Sequence, residues 1–179
     1  MNAKQNNNIK HYNSEEEEIN MNPKLTVIRG VPGSGKTTLA KEIQNSYFIN
    51  RTIHIETDMF HYEDGKYKFD GAKLGIYHKC TQIMVESLLK QGFNVIVSNT
   101  SITKEAVKQY TDIADKLDCK YEIICCLNTY ENVHNVPKAI VERMQMNFEY
   151  LYNEEFYYHN GTIYINAALD VIRGNIKWT

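Results

Sequence analysis

The sequence predicts an α/β fold, a three-layer sandwich with a mainly parallel sheet. Three observations carry this. Short apolar runs alternate with helix-period patterns from residue 23 onward, and strand–helix alternation requires parallel pairing with helices on both sheet faces. A glycine-rich turn separates the first apolar run from the first helical pattern. Finally, 42% of the 179 residues are hydrophobic and 23% are charged. That is enough apolar surface for one buried core, and it excludes a wholly disordered or collagen-like chain.

Taken in order, residues 25–28 read as a buried strand. A helix follows the glycine-rich turn, with Leu39, Ala40, Ile43 and Tyr47 at apolar positions. Residues 52–55 form a second strand, and residues 72–91 a long helix with Tyr77, Cys80, Met84 and Leu88 on one face. A third strand over 95–97 is entered through Gly92. The helix over 103–117 places Ala106, Tyr110, Ile113, Ala114 and Leu117 at helical spacing, and 121–127 is a fourth strand. Pro137 suits the first position of another helix, with Ile140, Val141, Met144 and Phe148 inward. Beyond Tyr150, residues 160–161 suggest a turn into a strand and 167–173 a short closing helix. The Tyr-rich stretch from Tyr150 to Tyr164 reads as core and edge packing.

Residues 1–22 are Asn-rich, carry the run Glu15 to Glu18, and bury almost nothing, so a disordered tail is expected ahead of one domain over 23–179. The net charge is −2, and the tail's two Lys and four Glu account for it, leaving the domain neutral. Binding to long nucleic acid through a strongly basic surface is therefore not supported, while a local basic groove is compatible with this balance. No apolar run is long enough to span a membrane and no secretory leader is evident, so a cytoplasmic location is expected. Cys80, Cys119, Cys125 and Cys126 form no C-x-x-C pair, which points to free thiols rather than zinc or disulfides. Sixteen Lys stand against only four Arg: Arg29, Arg51, Arg143 and Arg173.

Gly30-Val31-Pro32-Gly33-Ser34-Gly35-Lys36-Thr37 matches the phosphate-binding loop pattern G-x-x-x-x-G-K-[ST]. Its glycines let successive backbone N–H groups turn inward around a phosphate. Lys36 reaches the β- and γ-phosphates, the Thr37 hydroxyl ligates Mg2+, and the helix through Thr38 presents its positive end. The predicted nucleotide contacts are Gly30, Pro32, Gly33, Ser34, Gly35, Lys36, Thr37 and Thr38, with ATP and Mg2+ as cofactors. Asp58 stands at the carboxyl end of the second strand, where open α/β sheets bind ligands. It reads either as a general base for an attacking hydroxyl or as a helix N-cap. The segment 61–70 interleaves Tyr62, Lys66, Tyr67, Lys68 and Phe69. Such a pattern stacks bases and holds phosphates, or else folds inward over Asp58. His78 lies near the apolar face of the long helix and reads as a satisfied, partly buried imidazole.

Together these motifs resemble the polynucleotide-kinase-like P-loop family over about residues 24–150. They are the phosphate loop, Thr57-Asp58-Met59-Phe60 after the second strand, Ser98-Asn99-Thr100 after the third, and His134-Asn135-Val136-Pro137 before the next helix. The family's best-known member phosphorylates 5′-hydroxyl ends of RNA and DNA. The resemblance implies a P-loop kinase fold and transfer of the γ-phosphoryl group to a hydroxyl, with a nucleic acid end as acceptor partner. Lys36 and Thr37 match the family's phosphate and magnesium residues, and Asp58 its general base. Asn99 and Thr100 match a polar strand-end pair in which Asp commonly stands at the place of Asn99. His61 stands where the phage member has an arginine that grips substrate phosphate, and with Lys66 and Tyr67 it joins the predicted acceptor contacts. Glu131 falls where the family commonly has a lid arginine, and the lid over 128–135 is short. Arg143, on the next helix, is the candidate to replace that arginine, or is a solvent-exposed helical residue. Arg29 either braces the loop or packs at the strand end. A kinase for a small metabolite or nucleoside, and an ATP-binding regulatory module, are the alternatives.

Overall fold

The computed structural model describes residues 22–46, 51–131, 135–157 and 163–164. Most of the expected tail, Tyr47, the turn at 160–161 and the closing helix over 167–173 lie outside the described residues. In chain order the elements are β1 (Lys24–Arg29), α1 (Lys36–Ser46), β2 (Thr52–Ile55), the short strands β3 (Tyr62–Glu63) and β4 (Lys66–Tyr67), α2 (Leu74–Lys90) and β5 (Asn94–Ser98). Then follow α3 (Lys104–Lys116), β6 (Lys120–Cys126), α4 (Lys138–Met146), β7 (Glu155–Tyr157) and β8 (Ile163–Tyr164).

The main sheet runs β2-β5-β1-β6-β7-β8. Every pairing from β2 through β7 is parallel, and β8 closes the edge antiparallel. The predicted sandwich is the fold observed. Its layers follow from the two-residue period of a strand. On β1, Leu25 and Val27 face Val85 and Leu89 of α2 and Val107, Tyr110 and Ala114 of α3. Ile28 faces the other way, packing with Leu39 and Ala40 of α1, Ile96 and Ile124. A third apolar cluster, of Val31, Cys125, Leu127, Phe148 and Phe156, seats α4 beside the phosphate loop through Val141 and Met144. All four cysteines are free thiols, as expected.

Several local readings shift. The buried stripe of α2 is Thr81, Val85 and Leu89, one position on from the predicted face, and Met84 is 38% exposed. Thr81 tolerates burial because its hydroxyl donates to the Tyr77 carbonyl (2.9 Å) and meets the Thr57 hydroxyl (3.1 Å). Pro137 caps α4 rather than beginning it, and Phe148 is buried just past the helix end. The segment 61–70 contains a β-hairpin. Tyr62 pairs with Tyr67 and Glu63 with Lys66, around Asp64 (φ 50°) and Gly65 (φ 74°). That is the two-residue Asp-Gly turn whose twist matches paired strands. β7 was likewise not anticipated as a strand.

Candidate active site

The phosphate loop leaves β1 at Gly30 and enters α1 at Lys36. Gly30 adopts φ 149°, and a Cβ there would lie 2.4 Å from Ser34 Oγ and 2.6 Å from the Cys126 carbonyl oxygen. Only glycine fits that crossing. Neighbouring strands hold the loop in place: the Gly30 N–H donates to the Thr100 carbonyl (3.2 Å) and the Tyr130 N–H to the Gly33 carbonyl (2.7 Å). Asn128 Nδ2 donates to the Ser34 carbonyl (3.3 Å). The first-turn N–H groups of α1 have no partner inside the helix, so they are available to an anion. Lys36 curls over the loop, its Nζ donating to the Val31 carbonyl (2.9 Å). Burial pushes its ammonium below the ordinary lysine pKa, while Asp58 and Glu56 are among the anionic groups that oppose the shift. The ordered contacts, the glycine-only crossing and the lysine together fit a nucleotide phosphate. Thr38 is solvent-exposed on the first turn.

Thr37 donates its hydroxyl hydrogen to Glu56 Oε2 (2.9 Å). A hydroxyl beside a carboxylate is a hard-oxygen donor set suited to Mg2+, which takes one or two carboxylates and completes its shell with phosphate oxygens and water. Among the described residues no cluster of three or more His, Cys, Asp or Glu assembles.

Asp58 lies in a short 3-10 turn (Thr57–His61) directly after β2, and the capping position of that turn is Glu56. The helix-cap reading of Asp58 is thereby set aside. Tyr67, on β4, donates its phenolic hydrogen to Asp58 Oδ1 at 3.4 Å. Burial, with Asp58 second, pushes the Tyr67 hydroxyl up to about 12.

The remaining predicted contacts divide. Lys66 is exposed on β4, on the hairpin that brings Tyr67 to Asp58. Thr100 ties the loop through its carbonyl. Asn99 is buried with both ends of its amide in use: Oδ1 accepts from the Thr57 N–H (2.8 Å) and Nδ2 donates to the Tyr110 hydroxyl (3.0 Å). It therefore staples the turn bearing Asp58 to β5 rather than presenting a free amide to substrate. His61 is sealed from solvent, with ring centroids of Tyr77, Phe69 and Tyr67 at 4.8, 5.0 and 5.9 Å. Its Nδ1 accepts from the Asp70 N–H (3.2 Å). It anchors the hairpin instead of facing an acceptor. His78 contacts Thr57 Oγ1 at 3.3 Å, and burial lowers its pKa.

The arginines are also sorted. Arg29 is fully buried in an ion pair with Glu154 (3.0 Å), lies 4.2 Å from the Phe148 ring centre, and so belongs to the strand-end packing. Arg51 leads into β2 at the strand's N-terminal end, opposite the end followed by Asp58, and lies 5.9 Å from the Phe93 ring centre. Arg143 is exposed on α4, off the face carrying Val141 and Met144. Among the described residues no hydrogen bond or ion pair brings its side chain to the loop. Glu131 is exposed in the segment that follows β6.

Two residues of the candidate site were missed by the sequence reading, Glu56 and His54, and Ser98 was read only as part of the polar motif that ends the third strand. Ser98 Oγ donates to Glu56 Oε2 (3.2 Å) and lies 2.7 Å from His54 Nε2. Burial lowers the His54 pKa, with Glu56 opposing. The position of Glu56 at a strand's carboxyl end, two residues before Asp58, was the available signal.

A family model described as an AAA domain matches residues 25–151. NEDD4-binding protein 2 of Homo sapiens is 27% identical over 137 residues, covering 70% of this chain and 8% of that protein, so the chain spans a small part of that relative's length. A sugar kinase from Janibacter sp. HTCC2649 superposes with a TM-score of 0.54 at 14% identity, covering 76% of this chain and 84% of that one. The APS kinase of Mycobacterium tuberculosis superposes at 0.50 and 17% identity, covering 70% and 94%. At such identities the two structures speak for the fold alone. The family match across residues 25–151, with the phosphate loop at the end of β1 inside it, makes the chain a member of the AAA domain family.

Proposed function

We propose that this protein is an ATP- and Mg2+-dependent kinase that transfers the γ-phosphoryl group to a hydroxyl, with the 5′-hydroxyl of a polynucleotide as acceptor. The observation that carries the reading is Asp58. It follows β2 at the site's edge, close enough to Lys36 to oppose the lowering of that lysine's pKa by burial, and it already holds a hydroxyl, that of Tyr67. An acceptor hydroxyl taking the place of the phenol gives its proton to Asp58 as its oxygen bonds to the γ-phosphorus. The bond from that phosphorus to the β,γ-bridging oxygen breaks, and ADP leaves with the electron pair. Lys36 neutralises charge on the phosphates, and Thr37 with Glu56 offers the oxygens that hold Mg2+, which supplies further neutralisation when bound. The polynucleotide acceptor is favoured by the hairpin, where Tyr62 is 53% and the adjoining Phe69 61% exposed beside Lys66 and Lys68. Aromatic faces beside amines suit single-stranded ends.

A second reading, a kinase for a small metabolite, is favoured by the burial of His61, which removes a substrate-phosphate contact. ATP radiolabelled at the γ-phosphate, incubated with 5′-hydroxyl oligonucleotides, nucleosides or no acceptor, separates them. Label is expected in the oligonucleotides. Label in nucleosides alone supports the metabolite reading, and none anywhere supports a nucleotide-binding module. Asp58→Asn should lower transfer by about 10²–10⁴ while ATP affinity stays within a few-fold. Near-wild-type transfer by that variant removes the general-base assignment.

A further inference from the structure

We propose that Glu56 is the carboxylate through which this protein holds Mg2+ at the phosphate loop, oriented by Ser98 and His54; the proposal rests on the nucleotide-binding reading above. Three chain segments meet here. Thr37 is in the first turn of α1, Glu56 directly follows β2, and Ser98 ends β5, which lies between β2 and β1 in the sheet. The strand beside β1 thus ends in a hydroxyl, and the carboxylate arrives from one strand farther out.

The hydrogen-bond directions are determined by counting hydrogens. Glu56 Oε2 accepts from both Thr37 Oγ1 (2.9 Å) and Ser98 Oγ (3.2 Å). Ser98 has one hydroxyl hydrogen, so once it is given to Glu56 the 2.7 Å contact with His54 needs the hydrogen on Nε2. His54 therefore donates to Ser98 and Ser98 donates to Glu56, the same carboxylate oxygen to which the hydroxyl predicted to ligate the metal also donates. Such outer partners orient ligands and tune a site. Among the described residues Glu56 Oε1 receives no hydrogen bond, and the Glu56 side chain caps no helix. One carboxylate oxygen is braced and the other is open. Without a cation between them, a carboxylate here repels the nucleotide phosphates that Lys36 attracts. With Mg2+ between them, the same charge becomes attractive.

That reversal of sign is measurable without turnover. Calorimetry of ATP binding is run in Mg2+ and in EDTA for the wild type, Glu56→Gln and Ser98→Ala. The wild type should bind more tightly in Mg2+. In Glu56→Gln the Mg2+ enhancement should fall at least about tenfold, while affinity in EDTA holds or improves because a repulsive charge is gone. Gln keeps the size and an acceptor oxygen for Thr37 and Ser98, so its melting temperature should stay near wild type. Ser98→Ala leaves the carboxylate and removes its brace. It should reduce the enhancement about threefold with EDTA affinity unchanged, and it decides the matter alone if Glu56→Gln does not fold. An unchanged Mg2+ enhancement in the folded variants overturns the proposal. So does loss of affinity in EDTA, which would make Glu56 a scaffold for the loop. A wild type that binds no ATP in either buffer removes the nucleotide reading itself, a distinguishable failure.

Discussion

Replacing Arg29 with methionine should destabilise the domain without impairing nucleotide binding. The Arg29 side chain is sealed at the end of β1, immediately before Gly30. Its guanidinium donates to Glu154 Oε2 (3.0 Å) and to the Glu149 carbonyl (2.8 Å). Glu154 is equally sealed, and its Oε1 accepts from the Leu151 N–H (2.9 Å). Methionine fills much of the space but leaves a buried carboxylate without its cation, which costs about 3–5 kcal/mol. At about 2–4 °C per kcal/mol for a domain of this size, the melting temperature should fall by about 6–20 °C. The pH dependence has a definite sign. Burial raises the Glu154 pKa and Arg29 opposes it, so in the variant the carboxyl climbs further. An acid whose folded pKa exceeds its unfolded value adds stability below the unfolded value and loses it as pH rises through the folded one. The deficit of Arg29→Met should therefore shrink toward acid and widen toward alkali, and adding Glu154→Gln should flatten that trend. Urea melts across pH, paired with ATP calorimetry on the folded variant, make the test. Wild-type stability at neutral pH would show that the pair contributes nothing. Lost ATP affinity at intact stability would return Arg29 to the phosphates.

Lys36→Ala should weaken ATP binding at least tenfold by calorimetry while leaving the melting temperature within a few degrees, since among the described residues its ammonium hydrogen-bonds only the loop's own Val31 carbonyl. Tyr67→Phe removes the hydroxyl that competes for Asp58. The acceptor KM should fall by about 2–10-fold, the worth of one net hydrogen bond, with ATP affinity unchanged in the same assay. Arg143→Lys, on an exposed position of α4, should keep stability and transfer within about threefold of wild type. A loss of tenfold or more would show that the helix delivers the guanidinium to the phosphates once nucleotide is bound.

Local sequence determined what depends on local geometry. The phosphate loop was legible because its glycines, Lys36 and Thr37 are contiguous, and backbone angles such as the 149° φ of Gly30 admit no other residue type. The four strands β1, β2, β5 and β6 and the helices α1 to α4 were legible from periodicity, though the hairpin and β7 were not, and Asp58 was legible from its place just past a strand. Side-chain partnership was not legible, because it depends on strand order. Glu56 meets Thr37 across 19 positions and Ser98 across 42, solely because β5 is inserted between β2 and β1. Arg29 reads in sequence as a basic residue beside a phosphate site, and its neutralising partner lies 125 positions away on the loop before β7. Asn99 and His61 read as polar groups free for substrate. The fold commits the first to Thr57 and Tyr110, and closes the second under aromatic rings from α2 and the hairpin. The phase of α2 shifted for the same reason, since a threonine is buried once a neighbouring turn supplies its hydroxyl with a partner. Spacing along the chain reports which face a residue occupies, and only tertiary packing decides what waits on that face to pair with its charge or hydrogen.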